Sequence, residues 1–407
     1  MKELSGWQRK PLRWPRLLAT LIALPILALG LVGCEEDRLS PRGVWSTASP
    51  FAPQVTDTPS ITQMSPLPTA TPVSPTLPPD PLLRTAPVPK GAVKGEKIAF
   101  LMKGDLWLAD VASGDLIQMT VSGNVNHLYG WSYDGTQLLI GVGKHPVPLE
   151  TDTLAGTNLW VVRRDGAEGR PLTTGLEVMA AAWSPTDDRI VYGTRNGEIH
   201  LINSDGTGHR TLPTHSRGMS YLGAWSPDGT QIAYRIWDND ANTVHLMVFD
   251  LKDGSRRRLA SEKAFFVGYL YSYDIQWSLD GSRILFQSRD DPKPCSWRVV
   301  HIDGDSLIRL DNETLRQMRG CSLWAPRSPV ADRVLFSAYD PSFEEIIWMM
   351  DFEGQVWEVT RGSSPIWSPD GSRVAYIGEN DGLWVARLDG TDAIKFSSTA
   401  ESPFWSR

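Results

Sequence analysis

One ten-residue pattern recurs along most of the chain and limits the folds that are open to it. Its clearest copy is WSPDGTQIAY, which begins at Trp225. Proline presets φ, aspartate bonds nearby amides and glycine accepts positive φ, so the middle of the pattern predicts a tight turn between two strands. Further copies, some of them looser and the last only a half copy, begin at Trp131, Trp183, Trp277, Trp324, Trp367 and Trp405.

Each copy opens a longer unit of four short strands. The turn is followed by a buried triplet such as Ile232-Ala233-Tyr234, a strand such as Leu106-Trp107, a second turn such as Asp253-Gly254 and a last strand such as Thr211-Leu212. Residues 96–407 number 312, which gives about 45 residues for each of seven units, the spacing of a propeller blade. The sequence therefore predicts an all-β fold, a seven-bladed β-propeller of four-stranded antiparallel blades.

The two ends of the repeat region complement each other. The first unit, at Ile98-Ala99-Phe100, lacks its Trp half, and the C-terminal residues 402–406 supply a Trp strand with nothing after it. Pairing of the C-terminal strand with the first blade would close the ring and leave no open sheet edge. The alternative is a six-bladed ring with one degenerate unit.

The WSPDG-x-x-[IV]-A-Y repeats resemble those of the TolB-type, WD-like propeller family. The resemblance covers residues 97–407. It implies an extracytoplasmic binding or scaffolding propeller, because family members mostly play such roles, although some are fused to serine peptidase domains. The chain departs from TolB in two ways. Its repeats predict seven blades rather than six, and a proline-rich segment, described below as the tether, stands where TolB has an N-terminal α/β domain.

The N-terminus carries the pattern of a secretory signal. Five basic residues among residues 1–16 precede an apolar, charge-free run, Leu17 to Gly33, which ends at Cys34. The run resembles a bacterial lipoprotein signal peptide, residues 1–33, with cleavage after Gly33 and lipidation of Cys34. A signal anchor that stays uncleaved is the alternative, although the run is short for a membrane-spanning helix.

A tether is expected between the lipidation site and the repeats. Residues 41–89 hold 13 prolines, which cannot join a helix or a β-ladder through their backbone nitrogen. We predict a disordered Pro/Ser/Thr-rich tether over 34–95 and a β-propeller over 96–407. The chain would then be extracytoplasmic and anchored to a bacterial membrane, at the cell surface or in the periplasm.

Charge and motifs exclude several functions. The net charge is −7, and it becomes −11 when residues 1–33, with five basic residues and one acid, are removed. An acidic chain argues against nucleic-acid binding. There is no G-x-S-x-G, H-E-x-x-H or phosphate-binding sequence, and the seven His are scattered. The sequence therefore predicts no catalytic residue, no metal site and no cofactor.

Binding residues are expected in the longer loops, between the second and third strands and between blades. These loops share one face of the ring, whereas the short Asp-Gly turns share the other and are expected to be structural. Aromatic side chains suit a binding surface, although Tyr271 and Tyr273 are interpreted as core residues. The candidate binding residues are Phe265, Phe266, Tyr269, Trp237 and Asp238.

Cys295 and Cys321 lie on this same face and are predicted to form a disulfide, the alternative being two free buried thiols. The predicted function is a lipid-anchored propeller that binds or scaffolds a protein, peptide or glycan partner. A glycan-acting hydrolase or lyase with its acids on the loop face is the first alternative, and a spacer is the second. Convergent carboxylates in a deep central pocket would favour the enzyme, and an apolar surface would favour binding.

Overall fold

The computed structural model describes the greater part of the repeat region and a short segment before it. The described residues are 83–88, 94–143, 157–167, 169–214, 219–238, 240–263, 275–288, 295–304, 306–322 and 326–406. The predicted signal peptide, Cys34, most of the tether, and the candidates Phe265, Phe266 and Tyr269 lie outside them. Within these ranges no helix is long and apolar enough to cross a membrane.

The described chain is built almost wholly from β-strands. In chain order the strands are β1 (Lys97–Met102), β2 (Asp105–Asp110), β3 (Leu116–Gln118), β4 (Val125–Trp131), β5 (Gln137–Val142), β6 (Asn158–Arg163), β7 (Gly169–Pro171), β8 (Val178–Trp183), β9 (Arg189–Thr194), β10 (Ile199–Asn203), β11 (Arg210–Leu212), β12 (Met219–Trp225), β13 (Gln231–Asp238), β14 (Thr243–Asp250), β15 (Arg256–Lys263), β16 (Gln276–Trp277), β17 (Arg283–Gln287), β18 (Trp297–His301), β19 (Leu307–Leu310), β20 (Arg333–Tyr339), β21 (Glu345–Asp351), β22 (Val356–Arg361), β23 (Ser363–Trp367), β24 (Arg373–Ile377), β25 (Leu383–Arg387), β26 (Ile394–Lys395) and β27 (Glu401–Trp405). A short helix α1 (Glu313–Gln317) and one 3-10 turn (Glu379–Asp381) complete the elements.

These strands form seven antiparallel sheets, which are the seven blades of a β-propeller. Blade 1 has the order β27-β1-β2-β3, blades 2 to 5 take β4 to β19 four at a time, blade 6 holds β20 to β22, and blade 7 holds β23 to β26. The predicted seven-bladed, all-β fold is therefore confirmed, and the six-bladed alternative is wrong.

The C-terminal strand closes the ring as predicted. β27 pairs with β1, with Ile98 opposite Trp405 and Ala99 opposite Phe404. The Ser406 amide donates to the Lys97 carbonyl at 2.7 Å, and the Lys97 amide donates to Ser406 Oγ at 2.9 Å. The two ends of the propeller are thus held in one sheet, which removes the exposed edge that each would otherwise present.

The repeat fixes the turn between the first and second strand of a blade through its serine and aspartate. In blade 4, Ser226 Oγ donates to Asp228 Oδ1 at 2.6 Å, and the Thr230 amide donates to the same oxygen at 3.1 Å. Gly229 has φ of 68°, and a Cβ there would lie 2.2 Å from Thr186 Oγ1 of the neighbouring blade. The same Ser-to-Asp bond recurs at Ser132, Ser278 and Ser368.

Blade 6 departs from the repeat, and its structure shows that the predicted repeat position in this blade is wrong. Its inner strand is reduced to isolated bridges, one of which pairs Arg327 with Val334. In blade 7 the equivalent pair is Trp367 with Val374. Arg327, not Trp324, therefore occupies the repeat-Trp position of blade 6. The proline residues that flank Arg327 interrupt the pattern and obscure this register in the sequence.

Residues 83–88, which fall within the predicted tether, contact the propeller. The Ala86 amide donates to the Met119 carbonyl at 2.8 Å, and the Val121 amide donates to the Arg84 carbonyl at 2.9 Å. Leu83 is buried among apolar side chains of blades 1 and 2. A Cβ at Gly169 would lie 2.6 Å from Leu83 Cδ2, so the absence of a side chain there makes room for Leu83.

Apolar side chains fill the space between neighbouring blades. Leu139 and Val161 of blade 2, for example, share one cluster with Ile190 and Tyr192 of blade 3. Blades 5 and 6 are also joined covalently, because Cys295 and Cys321 form a disulfide with their Cα atoms 5.3 Å apart. Each blade is therefore held by the burial of its two faces, and blades 5 and 6 have an additional crosslink.

Candidate functional site

A pocket of 370 Å³ lies where the first strands of all seven blades converge. It opens on the face that carries the turns between the first and second strands, which we call the repeat-turn face; the opposite face is the loop face. The pocket is lined by repeat Trp residues, by the Ser and Pro positions that follow them, and by small residues that precede them: Tyr129, Gly130, Trp131, Tyr133, Ala181, Ala182, Trp183, Ser184, Pro185, Gly223, Ala224, Trp225, Pro227, Gln276, Pro326, Arg327, Pro329, Ile366, Trp367, Ser368, Pro369, Phe404 and Trp405.

The repeat tryptophans form a belt around the pocket by bonding from one blade to the one before it. Trp183 Nε1 donates to the Gly130 carbonyl at 3.1 Å, and Trp225 Nε1 donates to the Ala182 carbonyl at 3.1 Å. The acceptor in each case immediately precedes the repeat position of the previous blade. The same bond links Trp131 to Phe404, Trp277 to Ala224 and Trp367 to Pro326.

Arginine side chains from the blades lie over several of these indole rings. The guanidinium of Arg164 lies 5.2 Å from the Trp131 ring, and that of Arg373 lies 5.1 Å from the Trp405 ring. Such cation–π contacts and the belt bonds restrict the indoles, which are at most 8% exposed. The indoles are therefore held in place, and only a small part of each is exposed.

The described rim of the pocket is apolar. In six blades the residue two places after the repeat position is Tyr133, which is 44% exposed, Leu279, which is 38% exposed, or a proline; in blade 1 it is Arg407, which lies outside the described residues. Tyr133 and the prolines line the pocket on the repeat-turn face. Exposed apolar side chains grouped around a cavity are typical of a binding surface rather than of a solvated turn.

The pocket is nearly free of charge. Of the described residues that line it, none is a carboxylate and only Arg327 is charged. His127, which packs against the pocket residue Tyr129 with ring centroids 4.4 Å apart, adds no charge at neutral pH, because burial lowers its pKa to about 4. In the part of the chain that the structure describes, no three His, Cys, Asp or Glu side chains are grouped to hold a metal ion.

The structure places the described candidates of the loop face far from this pocket. Trp237 packs against Val244 and Tyr221, and Asp238 Oδ1 accepts the amide of Asp240 at 3.0 Å, which caps the turn after β13. Both lie at the opposite end of blade 4 from Trp225, because β12 and β13 pair from Trp225 opposite Ile232 to Met219 opposite Trp237. The pocket and these candidates form separate surfaces.

The pocket was not predicted because its residues belong to the repeat itself. A repeat Trp and the residues after it have an evident role in turns and packing, so the sequence predicts a structural role for them. The available signal was the second residue after the repeat position, which is a proline, Tyr133 or Leu279 in every blade except the first, where it is Arg407. A variable apolar residue at one position of a radial repeat indicates a ring of apolar side chains around the axis.

Comparisons with known proteins support the fold and leave the activity open. No family model matches the chain. An uncharacterized protein of Agrobacterium fabrum is 28% identical over 206 residues, which are 47% of this chain and 64% of that protein, so the match spans less than two thirds of the relative.

Solved propellers are similar in structure at low identity. TolB from Acinetobacter baumannii is 17% identical, with a TM-score of 0.50 over 76% of this chain and 81% of that one. An oligogalacturonate lyase in complex with manganese is 14% identical, with a TM-score of 0.52 over 74% and 82%. The tricorn protease is 12% identical, with a TM-score of 0.55 over 81% of this chain and 35% of that one. At these identities the likeness shows a shared propeller fold alone.

Proposed function

We propose that this chain is a lipid-anchored, extracytoplasmic propeller that binds a segment of a protein partner in the pocket of the repeat-turn face. The observation that carries the proposal is the composition of that pocket: buried indoles, prolines and small residues line it, and none of its described lining residues is a carboxylate. Aromatic and proline surfaces bury large apolar area at little cost in side-chain entropy, which suits recognition of a polypeptide.

The same observation weighs against the glycan-acting alternative. Hydrolysis of a glycosidic bond generally needs two acids that flank the bond, and a lyase needs a base beside the sugar. The pocket offers neither among its described residues, and the likeness to an oligogalacturonate lyase rests on fold alone. A pocket of 370 Å³ lies within the usual range for a site that buries a small ligand or the tip of a larger one.

The proposed lipid anchor at Cys34 would attach the propeller to a membrane. One acylated cysteine with two or more acyl chains gives stable membrane attachment, and the stretch from Cys34 to Leu83 would let the propeller reach away from that surface. Replacing Cys34 with Ala should release the chain into the soluble fraction. Retention of the C34A variant in washed membranes would contradict the anchor.

The binding proposal is tested by placing acids on the rim. Pro227 and Pro369 line the pocket mouth, and the repeat carries Tyr133 or Leu279 at the same position, so the turn tolerates other residues there. The P227E/P369E double variant should lose retained peptides, because bound apolar segments would desolvate two carboxylates. The matched control is I394E, since Ile394 is 61% exposed on the outer strand of blade 7.

The measurement is retention of a random-peptide library on the immobilised full chain. The unmodified chain and I394E should enrich the same peptides, and P227E/P369E should retain them about tenfold less. An equal loss of retention in I394E would show that the peptides adsorb to exposed apolar residues in general and not to the pocket. Enrichment of no peptide by the unmodified chain would refute the proposed function.

A further inference from the structure

Two neighbouring outer strands carry an unusual set of exposed side chains. β15 and β19 are the last strands of blades 4 and 5 and form the outer edges of their sheets. β15 begins with three consecutive exposed arginines. β19 begins with two large apolar residues that are 43% and 55% exposed. We call these residues, Arg256, Arg257, Arg258, Leu307 and Ile308, the edge strip.

The cationic and the apolar parts of the edge strip are adjacent. Residues opposite each other on paired strands have their side chains on the same face; Arg257 lies opposite Val248, and Leu307 lies opposite Val300. Val248 and Val300 share one apolar cluster between blades 4 and 5, so Arg257 and Leu307 lie on the facing sides of these blades. A Cβ at Gly304, in the turn before β19, would lie 3.9 Å from a carbonyl oxygen of β15. The edge strip is therefore one continuous surface.

The strands that carry the edge strip do not neutralise its charge. Among the described residues, the structure gives the three arginines neither a hydrogen bond nor an ion pair. The acid of β15, Glu262, is buried and pairs with Arg298 at 3.2 Å. In the turn before β15, Asp250 and Asp253 accept backbone amides of that turn, and Lys252 stands between them. The edge strip is thus a cationic surface on a chain whose net charge is −7.

The surface that suits this combination of side chains is an anionic lipid bilayer. The planar donors of a guanidinium match the oxygens of a phosphate, and apolar side chains beside them gain by partial burial among lipid headgroups. An added β-strand suits the edge strip less well, because charged side chains on an outer strand oppose pairing with another strand. The outer edge of a ring is also convex, so it can rest on a surface but cannot enclose a ligand.

We propose that the edge strip rests on the surface of an anionic bilayer, its arginines on lipid phosphates and its two apolar side chains among the headgroups. This inference rests on the membrane attachment in the proposed function and adds a second contact that orients the propeller. Each basic side chain near an anionic surface adds to the attraction, and the anchor raises the effective concentration of the bilayer. Contact through an outer edge leaves the repeat-turn face open to a protein partner.

The test places a photoreactive phenylalanine analogue at Ile308 in the full chain. The matched control position is Ile394, which is 61% exposed on the outer strand of blade 7. Each chain is reconstituted into vesicles of equal parts phosphatidylglycerol and phosphatidylcholine, or of phosphatidylcholine alone, and lipid adducts are quantified after irradiation. Position 308 should give about tenfold more adduct with the phosphatidylglycerol vesicles, because three arginines face the anionic headgroups. Position 394 should give no such preference.

Charge variants assign the preference to the arginines. R256E/R257E/R258E should abolish the preference at position 308, and R256K/R257K/R258K, which keeps the charge, should retain it. Added salt should weaken the preference of the unmodified chain, because it screens exposed charges. Circular dichroism and thermal unfolding verify that each variant is folded, and flotation on a density gradient verifies that the chain is attached to the vesicles.

The outcomes separate this inference from the proposed function. A chain that floats with both vesicles but gives equal adducts from position 308 would overturn the lipid contact and leave the anchor and the peptide pocket in place. An equal preference at position 394, or a preference that persists in R256E/R257E/R258E, would also overturn it. A protein adduct from position 308 in intact envelopes, without a lipid preference in vesicles, would assign the edge strip to a protein instead. A chain that does not float would overturn the anchor and, with it, the inference.

Discussion

Because of the tryptophan belt, we expect Trp-to-Phe substitution to lower the free energy of unfolding by different amounts at two equivalent repeat positions, Trp183 and Trp405. Trp183 and Trp405 are both buried, at 8% and 6% exposure. Trp183 Nε1 donates to the Gly130 carbonyl at 3.1 Å, whereas the buried Trp405 Nε1 has no hydrogen-bond partner. Replacement by Phe removes the same atoms from each, but only W183F removes a bond between blades.

The difference can be estimated from the bond itself. A net hydrogen bond contributes about 1 kcal/mol, and a buried carbonyl left without a donor costs about 1–3 kcal/mol. W405F loses apolar contact but also removes an unpaired donor. We therefore expect W183F to be less stable than W405F by about 1–3 kcal/mol, although both lose similar apolar area.

The assay is equilibrium unfolding in urea, followed by circular dichroism, with the slope checked for constancy among variants. W183A and W405A remove the full indole, and each should lose about 3–5 kcal/mol, with the larger loss for W183A because it too removes the bond to the Gly130 carbonyl. Equal stability of W183F and W405F, or a more damaging W405F, would refute the belt as an energetic link between blades.

Three further predictions concern other parts of the fold. The C295S/C321S variant should lose about 3.5 kcal/mol, the chain-entropy value for a separation of 26 residues; a loss below ~1 kcal/mol in urea unfolding would contradict it. Hydrogen bonds from serine hydroxyls lower the pKa of Asp280 and Asp370 from 3.8 to about 2, so their contribution to stability is complete above pH 3.8 and is lost as the pH falls towards 2. D280N/D370N should flatten that acid dependence, and an unchanged slope would count against it. L83A should cost about 2 kcal/mol by thermal or urea unfolding, and no change would show that residues 83–88 do not pack on the propeller.

The fold could be predicted because the repeat determines its own turns. The Ser-x-Asp-Gly sequence, which four of the seven units carry, specifies a local hydrogen-bond pattern, as at Ser226 and Asp228. Seven units with complementary ends then allow one closed arrangement. Blade 6 was misaligned for the opposite reason: without Asp-Gly after its Ser-Pro, nothing local distinguishes Trp324 from Arg327 as the repeat position. Only the pairing of Arg327 with Val334 settles the register.

The candidate site could not be predicted from local pattern. Its lining runs from Tyr129 to Trp405 and draws between one and five residues from each blade, and such a convergence exists only after the ring closes. In the sequence, long variable loops are the stronger indication of a binding site. They therefore predict Trp237 and Asp238, which lie on the loop face. The packing of Leu83 on the propeller could not be predicted, because the proline-rich composition is a property of the whole tether. It does not show which of the tether's residues contact the blades.

Site-specific photocrosslinking in intact envelopes tests most directly whether the repeat-turn face is the binding face. A photoreactive phenylalanine analogue replaces Tyr133, 44% exposed at the pocket rim, or Phe343, 66% exposed in the loop after β20 on the loop face. We expect a discrete protein adduct from position 133 that disappears in the P227E/P369E background, and none from position 343. Adducts from position 343 alone, or an adduct at 133 that persists with both rim acids in place, would contradict it.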